Sequence, residues 1–178
     1  MWLDKSENGY CHIGIDDFLA KVISNVDNID FIEALEPEKP AVILSVNGVD
    51  LRMVFPNSLR TTGRNAYLRS VPQKLVSAPY TAGWLYQGKV HPEGHSRNEN
   101  AVCTGLVHGF AVISWMQNEV HRLSSFIHER ITRMQQPGEC LVMDGGTFCP
   151  GLLQNLNRQE TLKLFNDFFS SHISPRSF

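Results

Sequence analysis

The first half of the chain is made of short apolar runs separated by turn-forming residues. Residues 42 to 54, VILSVNGVDLRMV, alternate apolar and polar side chains on either side of an Asn-Gly pair. This alternation predicts two strands joined by a tight two-residue β-hairpin, with Asn47 and Gly48 at its tip. Both residue types tolerate the positive φ angles that such a turn needs.

The other segments of this half are assigned from similar local signals. Asp16 or Asp17 is expected to cap a short helix that ends at Asn25, because a side-chain oxygen at that position can accept a hydrogen bond from the first turn. The remaining predictions are strands at residues 9 to 15, 26 to 34 and 83 to 90, turns at 56 to 65, and a short irregular or helical piece at 72 to 80.

One helical stripe dominates the second half. Apolar residues recur at spacings of 3 or 4 from Phe110 to Met134, and this period predicts an amphipathic helix of about seven turns. Asn157 is expected to cap a last amphipathic helix. The long stripe exceeds what a compact β domain covers, so part of it is expected to bury against the last helix or a partner chain. An oligomer formed through the long helix is one such arrangement. The stripe comprises Phe110, Ile113, Met116, Val120, Leu123, Ile127, Ile131 and Met134, and the last helix carries Leu162, Phe165, Phe168 and Phe169.

A polar decapeptide separates these halves. Residues 91 to 100, HPEGHSRNEN, contain no apolar side chain, which is typical of a linker. The sequence therefore predicts an α+β protein with an antiparallel β domain at 1–90, a linker at 91–101 and a helical extension at 102–178.

Composition excludes several function classes. With 42% hydrophobic and 19% charged residues and a net charge of -2, the chain resembles neither a disordered protein nor a nucleic-acid binder. No apolar run approaches the roughly 18 residues that span a bilayer, and the N-terminus lacks the features of a signal peptide. The expected compartment is therefore the cytoplasm, and the four scattered cysteines are expected to be free thiols.

Two histidines offer an alternative function, the binding of a metal ion. His91 and His95, with Glu93 between them, could bind a metal if the segment were helical, but Pro92 and Gly94 disfavour a helix there. A small metal-binding protein is therefore kept only as a third interpretation.

Four further features are better explained by structure than by chemistry. His121 and His128 flank the apolar stripe, where histidines are usually boundary residues. A thiol nucleophile and its base could come from Cys103 or Cys149 together with His108, but nothing in the sequence indicates that these residues lie close together in space. The glycine-rich run at 143 to 151 lacks the Lys-Ser/Thr of a phosphate-binding loop. Trp84 and Trp115 have apolar neighbours and are expected to pack in cores.

The first half as a whole resembles the H protein of the glycine cleavage system, a carrier with a lipoyl-type fold. The matching pieces are Trp2, HIGIDDFLAKVI at 12 to 23, DNIDFIEAL at 27 to 35, LSV at 44 to 46, FPNS at 55 to 58, Asn65, Leu68, Pro72, and PYTAGWL at 79 to 85. The resemblance covers about residues 1 to 90 and implies a barrel-sandwich hybrid of small antiparallel sheets. The family usually has a short segment before the Trp2 position, so this sequence is expected to be shortened or part of a longer polypeptide.

The family's hairpin tip carries a lysine to which lipoate is attached, and the lipoyl arm shuttles an aminomethyl group between enzymes. Here the resemblance places Gly48 at the lysine position and Ser45 where a glutamate usually stands. Asn47 offers only a non-nucleophilic carboxamide, so the tip has no amine to acylate. Lys39 and Lys74 are the alternatives, and both lie away from the tip in sequence.

The sequence therefore predicts an H-protein-like scaffold or adaptor that is not an enzyme. It is expected to dock partner proteins and to have no catalytic residue, cofactor or resident metal. The alternative function is a genuine lipoyl carrier of aminomethyl or acyl groups, modified at an unrecognised lysine in a glycine cleavage or related lipoate-dependent system.

Overall fold

The computed structural model of the chain describes residues 1–6, 9–32, 40–55, 59–90, 107–131, 153 and 156–169. Its strands are β1 Trp2–Lys5, β2 Tyr10–Gly14, β3 Asn28–Ile32, β4 Ala41–Val46, β5 Val49–Val54, β6 Leu59–Arg64 and β7 Tyr86–Val90. Its α-helices are α1 Asp17–Ile23, α2 Lys74–Ser77, α3 Ala111–Phe126 and α4 Arg158–Lys163, and a 3-10 turn covers Ala66–Arg69.

The strands form two antiparallel sheets. The four-stranded sheet has the order β1-β2-β7-β6, and the three-stranded sheet has the order β3-β4-β5. Among the described residues, no strand pairing joins the two sheets, so they do not close into a barrel. The predicted α+β class is confirmed at this level.

The predicted Asn-Gly hairpin is present. β4 and β5 pair in the register Val46↔Val49 and Leu44↔Leu51, which leaves two residues at the turn. Asn47 has φ 51° and Gly48 has φ 70°. These are the two left-handed conformations that a type I′ turn requires, and they match the twist of the flanking strands.

The first helix begins where the sequence predicts. The Asp16 carboxylate accepts a hydrogen bond from the Leu19 amide at 2.9 Å, which satisfies one of the free N–H groups at the start of α1. The predicted end at Asn25 is one residue late. Ser24 has a left-handed φ of 55° and its amide closes the last turn.

The prediction of turns at residues 56 to 65 is wrong for 59 to 64. These residues form β6, which pairs with β7 across an irregularity between Thr61 and Gly63. The segment LRTTGR has no apolar alternation, because an edge strand with a bulge needs little burial on either face. Pairing with β7 therefore decides its structure. β1, which pairs with β2, was likewise absent from the sequence prediction.

The buried apolar side chains form one cluster that draws on both halves of the chain. Ile15, Leu44 and Leu85 from the β region and Leu123 and Leu164 from the helices are all completely or almost completely buried in it. The helices therefore pack on the sheets. The division into domains 1–90 and 102–178 stays a prediction, and the predicted linker lies outside the described residues.

The long helix is present over part of its predicted length. α3 begins at Ala111 and continues through a π-helical turn at Ile127–Ile131, while Met134 lies outside the described residues. Its C-terminal end is covered as predicted, because the Phe126 ring lies 5.6 Å from the Phe168 ring of the last helix. Among the described residues, no helix is long and apolar enough to cross a bilayer.

The last helix is also confirmed. Asn157 accepts a hydrogen bond from the Glu160 amide, and the Glu160 carboxylate accepts one from the Asn157 amide, so the two residues form a capping box. α4 continues as π-helix through Leu164–Phe169. Residues 158 to 169 are called the C-terminal helix below.

Candidate functional site

The hairpin tip holds another segment of the chain. The Asn47 side-chain amide donates hydrogen bonds to the carbonyl oxygens of Leu153 at 3.0 Å and Leu156 at 2.7 Å. Both leucines are buried in the apolar cluster. Asn47 therefore turns the hairpin and also fixes the segment that precedes the C-terminal helix.

Gly48 has open space around it but no side chain that could react. A Cβ atom built there would meet no atom within 4 Å, yet φ of +70° is a conformation that residues with a side chain rarely adopt. Near the tip, the Ser45 hydroxyl donates a hydrogen bond of 2.7 Å to the Asp50 carboxylate. The tip therefore has a polar rim but no amine.

Of the two alternative lysines, the one that the structure describes does not lie at the tip. Lys74 is the first residue of α2, is exposed, and follows the 3-10 turn rather than the hairpin. Lys39 lies outside the described residues. Neither β4 nor β5 contains a lysine.

A pocket of about 440 Å³ lies between β5, the start of α1, α3 and the C-terminal helix. This volume falls within the range of roughly 300–1,000 Å³ that is typical of ligand sites. It is called the β5 pocket below, and it is lined by Met1, Asp16, Phe18, Leu19, residues 50 to 54, Trp115, Glu119, Arg122, Leu162, Phe165, Asn166 and Phe169.

Several charged groups of the β5 pocket are paired with one another. The Met1 ammonium group forms an ion pair with the Asp16 carboxylate, which also caps α1. Glu119 and Arg122 form a second pair at 2.6 Å, and the Arg122 guanidinium lies 4.2 Å from the centre of the Phe168 ring. Paired charges around an apolar lining suit binding of an apolar group better than proton transfer.

The prediction that Trp115 packs in a core is wrong. Its side chain is 37% exposed and lines the β5 pocket. Trp115 lies on the N-terminal half of α3, where the stripe residues Phe110 and Ile113 are 92% and 59% exposed. No described segment covers this half of the helix. Trp84 is half-buried, with its ring 5.1 Å from that of His12.

The structure brings together none of the histidine and cysteine candidates that it describes. His108, His121 and His128 are exposed, and the described residues contain no group of three potential metal ligands. His91, His95, Cys103 and Cys149 lie outside the described residues, as does the glycine-rich run. Asp16 serves as the predicted cap.

Cys11 is a buried thiol in the sheet. Its Sγ donates a weak hydrogen bond to the Gly88 carbonyl oxygen at 3.4 Å, and burial raises the pKa of the thiol above its ordinary value. A thiol that resists ionisation is a poor nucleophile. Cys11 is therefore a structural residue.

Residues that carry the resemblance make structural contacts in the first half. The Asn65 side-chain amide donates to the carbonyl oxygens of Ala82 and Trp84, both at 2.9 Å. The Trp2 indole donates to the Pro79 carbonyl oxygen at 3.1 Å. These bonds fix the chain between β6 and β7, so the spacing of these residues has a physical role in folding.

Sequence reasoning missed the β5 pocket. Its walls come from the N-terminus, α1, β5, α3 and the C-terminal helix, which are far apart in sequence. The phenylalanine spacing in the C-terminal helix indicated an apolar face, and the long stripe was expected to pack on it, but nothing in the sequence indicated that β5 and α1 lie beside it. Comparison with protein-family models and with curated proteins finds no match to this chain.

Proposed function

We propose that the chain is a non-catalytic, non-lipoylated adaptor related to the glycine cleavage H protein, which docks partner proteins in the cytoplasm. The observation that carries this proposal is the hairpin tip. Gly48 stands where the resemblance implies the lipoyl lysine, and the Asn47 amide is bonded to the Leu153 and Leu156 carbonyls. A carrier needs a free amine at the tip, and no residue of the hairpin from 41 to 54 supplies one.

Two antiparallel sheets are compatible with the finer part of the proposal, a lipoyl-type arrangement. In a barrel-sandwich hybrid, small antiparallel sheets pack face to face, with side chains from both inner faces in one core. Residues of β2, β4 and β7 here share one apolar cluster. A short hairpin at one end of the three-stranded sheet is also the expected position for an attachment tip.

The exposed apolar surface supports a docking role. Phe110 and Ile113 on α3 are largely exposed, and Trp115 is exposed at the rim of the β5 pocket. Contiguous exposed apolar side chains are typical of protein interaction sites. Paired charges beside them resemble the polar rim that surrounds an interface core.

The proposal is tested by intact-mass measurement after co-expression of the full chain with a lipoate ligase and added lipoate. No lipoyl increment is expected, because the tip offers no amine that could form the amide. A lipoylated H protein expressed in the same cells controls for ligase activity. A lipoyl adduct on this chain would overturn the adaptor proposal and would make the protein a carrier.

The variant Gly48→Lys tests the position of the missing lysine. Because the space at Gly48 is open, the added amine is expected to reach the ligase and to gain a lipoyl increment in at least part of the sample. The matched control is Asp50→Lys, which places an amine two residues beyond the tip and is expected to remain unmodified. If Gly48→Lys and Asp50→Lys both remain unmodified, that result would contradict an H-protein-like hairpin.

A further inference from the structure

β5 is the last strand of the three-stranded sheet. It pairs with β4 on one side, and no described strand pairs with it on the other. An edge strand presents backbone N–H and C=O groups that can pair with another chain. The other edges of the two sheets are β1, β3 and β6, but it is β5 that contributes a continuous run of residues to the β5 pocket.

The register determines which backbone groups of β5 are available. The Phe55 amide donates to the Pro40 carbonyl oxygen at 3.0 Å. In an antiparallel pair, residues alternate between those that bond the partner strand and those that point away from it. With the register Leu44↔Leu51, the amides of residues 50, 52 and 54 therefore point away from β4.

The β5 pocket reaches this edge. It contacts all five residues from 50 to 54. Successive residues of a strand point to opposite faces of the sheet, so a cavity on one face would contact only alternate residues. A cavity that contacts five in succession therefore also reaches residues whose side chains point away from it, and the unpaired edge of β5 gives access to them.

The opposite wall of the β5 pocket is apolar and aromatic. It carries Trp115 from α3 and Leu162, Phe165 and Phe169 from the C-terminal helix. On β5, Leu51 is buried and Met53 half-buried, while Asp50 and Arg52 are exposed on the other face. A strand added here would have one apolar face toward the pocket and one polar face toward water.

We propose that the β5 pocket binds an extended peptide segment of a partner protein, which adds to the three-stranded sheet as an antiparallel strand beside β5. The peptide alternates apolar residues, which enter the pocket, with charged residues on the outer face. A glutamate opposite Arg52 and a lysine opposite Asp50 complement the exposed charges. Main-chain hydrogen bonds supply affinity in this mode, and the pocket supplies specificity.

This inference rests on the proposed adaptor function and names the kind of partner segment that it docks. The two can fail separately, because peptide binding does not depend on whether the chain carries a lipoyl group. A carrier could still bind a peptide at β5. An adaptor could dock its partner through another surface.

The test uses the full chain and an amidated peptide of sequence TVEVKV that carries a fluorophore on its N-terminal amine, and binding is followed by fluorescence anisotropy. In the antiparallel register, the glutamate and lysine amides of the peptide face β5, while the amides of the second and third valines face away. N-methylation of the glutamate and lysine amides is expected to weaken binding at least about tenfold, which corresponds to about 1.4 kcal/mol. N-methylation of the second and third valines is the matched control and is expected to leave binding within about twofold.

A variant on the protein side uses the direction of one amide. Arg52→Pro removes an N–H group that points away from β4, at the kind of edge position that tolerates proline. It is expected to abolish binding, whereas Arg52→Ala, which keeps the amide, is expected to weaken it only a few-fold. If Arg52→Pro does not fold, the two N-methylated peptides still decide the question with the unchanged protein.

Three results would overturn the proposal. The first is equal binding of both N-methylated peptides, because strand addition requires the amides that face β5. The second is absence of binding by TVEVKV at concentrations up to about 1 mM. The third is a concentration-dependent dimer of the chain that Arg52→Pro abolishes, which would assign the β5 edge to a second copy.

Discussion

At the scale of single residues, Asn47 performs two functions that impose different requirements. Its left-handed backbone needs only a residue that tolerates positive φ, which glycine does as well as asparagine. Its contacts with Leu153 and Leu156 need two N–H donors on the side chain. Only the second requirement distinguishes asparagine from glycine and aspartate at this position.

Glycine and aspartate at position 47 are therefore expected to lower the stability of the protein by different amounts. Asn47→Gly keeps the turn and loses two hydrogen bonds, so the free energy of unfolding is expected to fall by about 1–2 kcal/mol. Asn47→Asp is expected to lower the free energy of unfolding further, because a carboxylate would face two carbonyl oxygens. Urea unfolding at neutral pH gives both values, with Asn28→Ala as the exposed control at about 0.5 kcal/mol or less.

The turn at Asn47 was predictable and the contact was not. The φ preference of an Asn-Gly pair is local, so thirteen residues of sequence suffice to predict the hairpin. The two bonded carbonyls are 106 and 109 residues away, and their donor requirement leaves no periodic signal. If Asn47→Gly unfolded like the unchanged protein, the residue would only turn the chain.

At the scale of elements, α3 has two environments along one stripe. Ile113 is 59% exposed, whereas Ile127, at the C-terminal end of the helix, is 1% exposed. The sequence predicted the stripe because its period is a local property. It did not predict which half is covered, because coverage depends on a contact between distant segments, such as that of Phe126 with Phe168 of the C-terminal helix.

Two matched truncations test this difference. Ile127→Ala removes a buried side chain from the apolar cluster and is expected to lower the free energy of unfolding by about 2–4 kcal/mol. Ile113→Ala removes the same atoms from an exposed position and is expected to change it by about 0.5 kcal/mol or less. Guanidinium unfolding followed by circular dichroism measures both. Equal losses would show that the N-terminal half of α3 is also covered.

β6 illustrates the opposite limit of sequence reasoning. Its residues carry weak strand signals, and the bulge between Thr61 and Gly63 breaks the alternation that would mark a strand. The neighbouring hairpin has strong alternation because one face of it is buried. Strands are therefore predictable in proportion to the burial of one face.

At the scale of the whole molecule, the packing of the two sheets and the helices into one core could not be read from the sequence. The α+β class followed from the contrast between alternating and helical periods. The way in which the four-stranded sheet faces the three-stranded sheet depends on side chains that meet only in the folded chain. Tyr86 is one of them, because it lies on β7 and its ring contacts Phe31 of β3 at 5.3 Å, edge to face.

Tyr86 also joins the sheets by a hydrogen bond. Its hydroxyl donates to the Ala41 carbonyl oxygen of β4 at 2.5 Å, and its side chain is buried. Burial raises the pKa of Tyr86 from an ordinary 10.0 to about 12. Between these values the unfolded chain releases the proton while the folded chain retains it, so the free energy of unfolding falls as pH rises through this window.

Tyr86→Phe is expected to separate these two effects. At neutral pH the variant lacks only the hydrogen bond and is expected to be less stable by about 1 kcal/mol. As pH rises from about 9 to about 11, the unchanged protein loses stability through Tyr86 and the variant does not, so the difference between them is expected to shrink. Urea unfolding at both pH values measures it. A difference that stays constant with pH would show that Tyr86 titrates in the folded protein as it does in the unfolded chain, and that the contact between the sheets leaves this hydroxyl open to water.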